Sequence, residues 1–291
     1  VLVISTAIVD IFSMLIVLEA ISFSIIGLSI MFFSKINIEA VLKYFVQNTL
    51  VTGLSVFGIF GVYFSIKNTN FFILKIALDL IFFNIVNYNV IFIFCIFNLW
   101  ILSFLFKLGI FPVHFYIADL YEASSFVSIF FLSSVVKPTV FYLFSKVYFV
   151  IVGNFGFFFS HFFIFLGIIS VFIGNILAFG ETRIKRFLGY TSISQFGFLL
   201  ICLSINSLDL VCYSFIYMFI YNIFFLILAF IFVGFSSFLD NLTIINFSDV
   251  GYILQKETLF KVLVTISLFS ISGLPPLILF LFKYLMLFDL F

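Results

Sequence analysis

The feature that most limits what this chain can become is a succession of apolar runs about 20 residues long, each the length of a helix crossing the hydrocarbon core of a bilayer. Phe157 to Phe179 is one such run and Ile11 to Ile30 is another. A soluble fold would have to expose them to water, and an aqueous surface does not tolerate apolar patches of that size. In lipid, every backbone donor and acceptor must be satisfied within its own segment, so the runs predict helices. Composition agrees: 65% of the 291 residues are hydrophobic and 9% are charged, against roughly 25% charged in a soluble domain.

Eight spans are predicted, starting near Asp10, Ala40, Val90, Ser124, Phe157, Ile184, Leu208 and Leu259. The interruptions between them are short, the longest being Lys67 to Lys75, Asn84 to Asn89 and Leu239 to Lys256. The expectation is an all-α polytopic membrane protein forming one transmembrane domain over 1–291. If the spans alternate, Lys35, Arg183, Lys185, Arg186, Lys256 and Lys261 share one side, and Lys67, Lys75 and Lys146 the other. The positive-inside rule then places the Arg183, Lys185 and Arg186 loop in the cytoplasm or, for a mitochondrion, the matrix.

Two spans are broken by proline beside glycine. The third carries Lys107-Leu108-Gly109-Ile110-Phe111-Pro112, and the eighth carries Gly273-Leu274-Pro275-Pro276. A proline removes one helix hydrogen bond and crowds the preceding turn, so the freed carbonyls must face protein or a wet cavity rather than lipid. Packing kinks are the plainer reading of such prolines. Interrupted helices at corresponding places in two halves are also the sequence trace of a transport site between inverted repeats. The broken spans are an odd number of crossings apart, so they run in opposite directions, which predicts a first repeat over about 1–150 and a second over about 151–291, the second incomplete by the family resemblance given below.

Charges stand within these spans. Glu19 is central to Ile11 to Ile30, Lys107 follows Ile101 to Phe106, Lys137 follows Phe130 to Val136, and Lys283 lies past the second break. A charge at bilayer depth costs about 2.5 kcal/mol or more unless paired or hydrated. Buried structural ion pairs would account for Glu19, Lys107 and Lys137, and snorkelling for Lys283. The functional alternative is a proton path, because desolvation disfavours an ammonium and a nearby carboxylate favours it, so a buried lysine can load and unload a proton. His114, two residues after Pro112, is a possible relay or a structural hydrogen-bonding group. Lys43 is a second possible relay, although Glu39 and Lys43 at i,i+4 spacing suit an interfacial pair. His161 reads as an interface residue, and Asp119 and Glu122 as solvated or capping groups.

Other chemistries find no support in the residues. Cys95, Cys202 and Cys212 lack metal-site spacing and read as lipid-facing or core residues. No glycine-rich phosphate motif is present, and a net charge of +1 indicates no nucleic-acid partner. The chain is therefore expected to hold no cofactor, and its partners to be lipid and other membrane subunits. The abundance of Phe, at 52 residues, with much Ile and little Ala, suggests an AT-rich organellar gene. No secretory signal or transit peptide opens the chain.

Four pieces in order then carry a resemblance: Glu39-Ala40 through Lys43-Tyr44-Phe45; Lys107-Leu108-Gly109 with Pro112 and His114; Ile184 through Ser194; and Gly273-Leu274-Pro275-Pro276 with Lys283. Over nearly its whole length the chain resembles the mitochondrial NADH dehydrogenase subunit 2 family, the antiporter-like membrane subunits of respiratory complex I. The resemblance implies a proton-translocating membrane-arm subunit in the mitochondrial inner membrane, coupled to ubiquinone reduction elsewhere, with FMN and iron–sulfur clusters in other subunits. It matches Glu19 to the family's buried helix glutamate and Lys107 to the lysine of its first broken helix. Lys137 matches the lysine of the next helix, and Lys283 that of the second broken helix. Val113 and Tyr116 replace the more usual Phe and Trp around His114. Compared with the family pattern the terminal helices are missing, so a separate polypeptide supplying them, or a truncated subunit, is expected. A multisubunit cation/proton antiporter without redox coupling is the alternative that uses the same lysines, and a scaffold that no longer pumps is a third reading.

Overall fold

The computed structural model describes residues 5, 7–30, 35–83, 89–205, 207–238, 246–248, 251, 258–275 and 277–289, without the side chains of 36, 80–94, 151–158, 208 and 235–238. Pro276, Lys256 and most of the interruption from Leu239 to Lys256 lie outside the described residues. The described chain is helical apart from two isolated bridges, Asp10 with Asn70 and Arg183 with Asn246. In order the helices are α1 (Ile11–Ile30), α2 (Lys35–Ile66), α3 (Phe71–Phe83), α4 (Asn89–Leu108), α5 (Phe115–Ala123) and α6 (Phe126–Phe131). A π-helical turn, Leu132–Val136, leads into α7 (Lys137–Phe179), followed by α8 (Ile184–Ser204), α9 (Leu208–Phe238), α10 (Thr258–Ser272) and α11 (Ile278–Phe288).

Six segments are long and apolar enough to cross a membrane: Ile11–Ile30, Asn37–Ile66, Phe126–Val150, Phe159–Phe179, Ile184–Ser204 and Asp209–Gly234. The broken pairs α4 with α5 and α10 with α11 add two more crossings, matching the eight spans expected. One detail differs from the sequence reading: α3 begins inside the stretch from Lys67 to Lys75, expected as an interruption. Within α7 the two spans expected near Ser124 and Phe157 are both present, and the Phe163 ring lies 5.5 Å from Phe144 and 5.6 Å from Tyr148. Along a straight helix positions 144 and 163 would be about 28 Å apart, so the chain doubles back and α7 supplies two antiparallel crossings.

The bundle is inside-out relative to a soluble protein. Phe57, Phe64, Phe172, Phe179 and Phe230 point outward and are largely exposed, as lipid-facing side chains should be. The most enclosed of the long helices is α8, with 72% of its apolar window buried against 28% for α2. Hydroxyls along the spans return to their own helix: Ser22 donates to the Glu19 carbonyl, Ser103 to Trp100, Thr139 to Val136 and Ser170 to Gly167. That local bond removes the cost of an unpaired hydroxyl in an apolar setting.

Glycine permits close helix approach, and two contacts illustrate it. A Cβ on Gly58 of α2 would lie 2.8 Å from the Trp100 backbone nitrogen of α4. Between α7 and α8, a Cβ on Gly174 would meet the Ser194 nitrogen at 2.8 Å and the Tyr190 oxygen at 2.9 Å. Small residues that let backbones touch are the usual means of packing helices where lipid provides no hydrophobic drive.

One end of the bundle is a charged network. Lys43 pairs with Glu39 at 2.8 Å and Asp119 at 3.5 Å, and Arg186 reaches Asp119 at 3.4 Å and Glu181 at 3.9 Å. Arg183 and Arg186 both pair with Glu122, and Lys185 donates to the Ser124 carbonyl at 2.7 Å. Asp119 and Glu122, read from sequence as solvated or capping groups, are thus ion-paired across α2, α5 and α8. At the other end of α2, Ile11 donates to the Thr69 carbonyl and Phe71 to the Val9 carbonyl, and Lys146 donates to the Ser5 carbonyl at 3.2 Å.

Candidate functional site: a file of buried charges between two broken helices

Both breaks are built alike. Gly109 has φ of +77° and Gly273 has φ of +79°, the left-handed conformation that ends helices and that glycine adopts without penalty. In the first break the nitrogens of Gly109 and Ile110 both reach the Leu105 carbonyl at 2.9 Å; in the second, those of Gly273 and Leu274 reach Phe269 at 3.2 and 3.3 Å. The bond from Phe111 to Pro112 is cis. Side chains also bond carbonyls at the breaks. Tyr116 donates to Phe106 at 2.6 Å, Gln195 Nε2 donates to Ile271 at 3.1 Å, and Lys283 Nζ lies 3.5 Å from the Ser272 carbonyl. Space is tight as well: a Cβ on Gly109 would fall 1.5 Å from Ile117 Cδ1. Gly109→Ala is therefore expected to destabilise the protein by at least about 2 kcal/mol, visible as a lower thermal midpoint of the purified protein; an unchanged midpoint would contradict this account of the break.

Each break has one lysine beside it. Lys107 occupies the last turn of α4, before its break, and its Nζ donates to the Leu18 carbonyl of α1. Lys283 comes after its break, on α11, and reaches back to the last carbonyl of α10, where the helix dipole favours a cation. The two lysines are thus not equivalently placed, in sequence or in the carbonyls they reach. Gly273 makes room for Lys283: a Cβ there would lie 3.0 Å from Nζ.

Three cavities accompany these charges. The first, about 10 Å³, is lined by Glu19 and Lys107 together with Thr52, Ser55 and Ser103. Lys107 Nζ donates to the Leu18 carbonyl beside it, and Ser22 donates to Glu19 Oε2 at 3.2 Å. The second, about 20 Å³, is lined by both Lys107 and Lys137, with Tyr116, Tyr121 and Leu120. Each has room for about one water. The third, about 420 Å³, holds Lys283 with Thr191, Ser194, Gln195, Ser272 and Asn175. Lys107 and Lys137 are 3% and 4% exposed.

Lys137 begins the main part of α7 directly after the π turn. Its Nζ donates to Ser192 Oγ at 2.5 Å, and Ser192 in turn donates to the Gly189 carbonyl at 2.6 Å. The ammonium also lies 5.3 Å from the Tyr121 ring centre and 5.0 Å from that of Phe196, faces that stabilise a cation where water is scarce. Tyr217 donates to Gln195 Oε1, and Lys283 Nζ is 5.9 Å from the Tyr217 ring centre.

The structure therefore brings Glu19, Lys107 and Lys137 around two adjoining cavities, and places Lys283 across α8 from Lys137. His114 is buried at the first break with Nδ1 unpartnered among the described residues, its ring 4.3 Å from that of Phe115. Lys43 belongs to the exposed charged network. Pro275 lies in the second break as expected. Sequence reasoning missed Tyr116, Ser192, Gln195 and Tyr217. A signal for two of them was present, since Thr191-Ser192-Ile193-Ser194-Gln195 is a polar cluster inside an apolar span, and polar groups at that depth bond between helices. Among the described residues no cluster of side chains suits a metal ion.

Apolar crossings, two matched breaks and a lysine beside each define an antiporter-like polytopic membrane protein. The chain belongs to the NADH:quinone oxidoreductase/Mrp antiporter transmembrane family, whose model matches residues 9–291. It is 29% identical over 245 residues to NADH-quinone oxidoreductase subunit N of Francisella tularensis, covering 82% of this chain and 49% of that one. It is 28% identical over 260 residues to NADH-ubiquinone oxidoreductase chain 2 of Oenothera berteroana, covering 88% and 51%. The chain thus spans about half the length of these curated relatives. In fold it is similar to a chain in the solved structure of an archaeal respiratory complex, membrane-bound sulfane sulfur reductase. That likeness has a TM-score of 0.82 at 19% identity, and covers 96% of this chain and 55% of the other.

Proposed function

We propose that this chain is a proton-translocating membrane-arm subunit of NADH:ubiquinone oxidoreductase, passing protons through Glu19, Lys107, Lys137 and Lys283 while quinone is reduced elsewhere in the complex. The observation that carries the reading is the pair of adjoining cavities in which Lys107 faces Glu19 on one side and Lys137 on the other. Buried cations cost too much to be kept without a purpose or a partner, and here they neighbour one another across gaps that one water can fill. A proton leaving Lys137 makes room for one from Lys107, and the Glu19 carboxylate stabilises the reloaded Lys107. The shared hydrogen-bond pattern of the two breaks supports an arrangement as two inverted repeats, about 1–150 and about 151–291.

In this reading FMN, iron–sulfur clusters and ubiquinone belong to partner subunits, and the complex lies in the mitochondrial inner membrane. The charged network around Arg183, Lys185 and Arg186 faces the matrix, as the positive-inside rule requires. The 420 Å³ cavity and the partly exposed Lys283 favour further apolar helices packing there, supplied by another polypeptide, since lipid would not solvate that amine. A native gel tests the assignment: the band containing this chain should reduce quinone with NADH and carry flavin and iron–sulfur subunits. The family also includes Mrp antiporters, so a band without redox partners but with sodium-dependent proton flux would replace this reading with the second. Lys43→Ala, which removes two exposed pairs worth about 0–1 kcal/mol each, should leave proton pumping within about twofold of wild type; a larger loss in vesicles would put Lys43 on the path.

A further inference from the structure

We propose that Gln195, held by Tyr217, is a gate between Lys137 and Lys283, a positioning pair that must part before a proton can cross. The proposal rests on the proton-path reading and concerns its least connected step. Helix α8 stands between the two lysines. One of its faces carries Ser192, which accepts from Lys137 at 2.5 Å, and Phe196, over which the ammonium sits. Its other face carries Thr191, Ser194 and Gln195, which line the Lys283 cavity. Ser192 and Gln195 are one helical turn apart. The carboxamide is thus the polar group at the border of the two compartments.

Both ends of that carboxamide are fixed. Nε2 donates to the Ile271 carbonyl at 3.1 Å, one of the groups freed by the second break, and Oε1 accepts the hydroxyl proton of Tyr217. Gln195 is 7% exposed and Tyr217 is fully buried. An amide neither releases nor binds a proton near neutral pH. Tyr217, whose ring faces Lys283 at 5.9 Å, has its only proton committed to the amide. As placed, the pair interrupts a hydrogen-bonded file between the lysines.

When the amide turns away from Tyr217, water from the large cavity can reach Ser192. The Lys137 ammonium then gives one proton to water, each water passes one on as it receives one, and the neutral Lys283 amine takes one up. Lys137 is left neutral, Lys283 becomes the ammonium, total charge is unchanged and no electron moves. Because Gln195 is tied to Ile271, two residues before Gly273, a shift of α10 against α11 is the motion that would pull the amide aside.

The test uses vesicles containing the assembled complex, with proton pumping during NADH oxidation and passive proton leak at rest measured on the same preparation. Gln195→Ala removes the barrier and should raise the leak about two- to tenfold, the range set by the one hydrogen bond from Tyr217 that holds the gate shut. Gln195→Leu fills the space without polarity and should lower pumping about tenfold with no added leak. Tyr217→Phe keeps the ring and removes only the hydroxyl, so it should reproduce the leak of the alanine variant, and it reads the gate even if Gln195→Ala fails to assemble. Opposite effects of alanine and leucine are what a merely structural residue would not give. The gate is overturned if alanine and leucine impair pumping alike with an unchanged leak, or if all three variants match wild type while Lys137→Ala abolishes pumping. If Lys137→Ala itself pumps normally, the underlying proton path fails instead.

Discussion

Replacing Lys107 with methionine is expected to slow proton transfer through this chain by about 100-fold, the loss typical when a positioned proton-carrying group is removed. Lys107 is the residue shared by the first two cavities, so without its amine Glu19 and Lys137 have no titrating group between them. Methionine preserves most of the side-chain length and its apolar contacts, which keeps α4 packed against α1 and confines the change to the lost charge. The change also leaves Glu19 without its neighbouring ammonium, a destabilising loss, so the thermal midpoint is measured on the same sample. The measurement is protons moved per electron in vesicles oxidising NADH, beside quinone reduction by the same sample. A Lys107→Met complex that pumps at the normal ratio would remove Lys107 from the path and with it the role of both cavities.

A second large effect is expected from Gly174→Val, which should prevent the chain from assembling into a complex. A Cβ at Gly174 would lie 2.8 and 2.9 Å from backbone atoms of α8, and backbone cannot swing away as a long side chain can. Helices α7 and α8 would have to separate, at a cost of about 3 kcal/mol or more. They would separate where α8 presents Ser192 to Lys137 and Gln195 to Ile271, so stability and site geometry are lost together. Gly53→Ala is the matched control, because nothing lies within 4 Å of a Cβ there. The native-gel band should vanish for Gly174→Val and persist for Gly53→Ala; two intact bands would mean that α7 and α8 are not held by close backbone contact.

Parts of this were legible in the residues and parts were not, and the division follows the range of the forces involved. The helical spans, the two breaks and the depth of Glu19, Lys107, Lys137 and Lys283 could be read from short windows, because a helix in lipid closes its hydrogen bonds within its own segment. Gly109 and Gly273 could be placed for the same reason, since a positive φ beside proline is a local requirement. The ion pair between Glu39 and Lys43 also follows from spacing alone.

Only the tertiary structure decided which of these groups meet. Lys137 finds Ser192, Gln195 finds Ile271, and Glu122 collects Arg183 and Arg186, all through contacts between helices distant in the chain. Nothing in a window around any one of these residues announces its partner, because helix faces in a membrane are matched by small residues and shape rather than by a hydrophobic pattern. The sequence alone determined that charges lie within apolar spans beside broken helices; the packing of α1, α4 and α5 against the start of α7 decided that Lys107 and Lys137 share a cavity, and the contact of α8 with α10 decided that Lys283 stands beyond Gln195. A charge's depth is set by its own segment, and its partners are set by how segments touch.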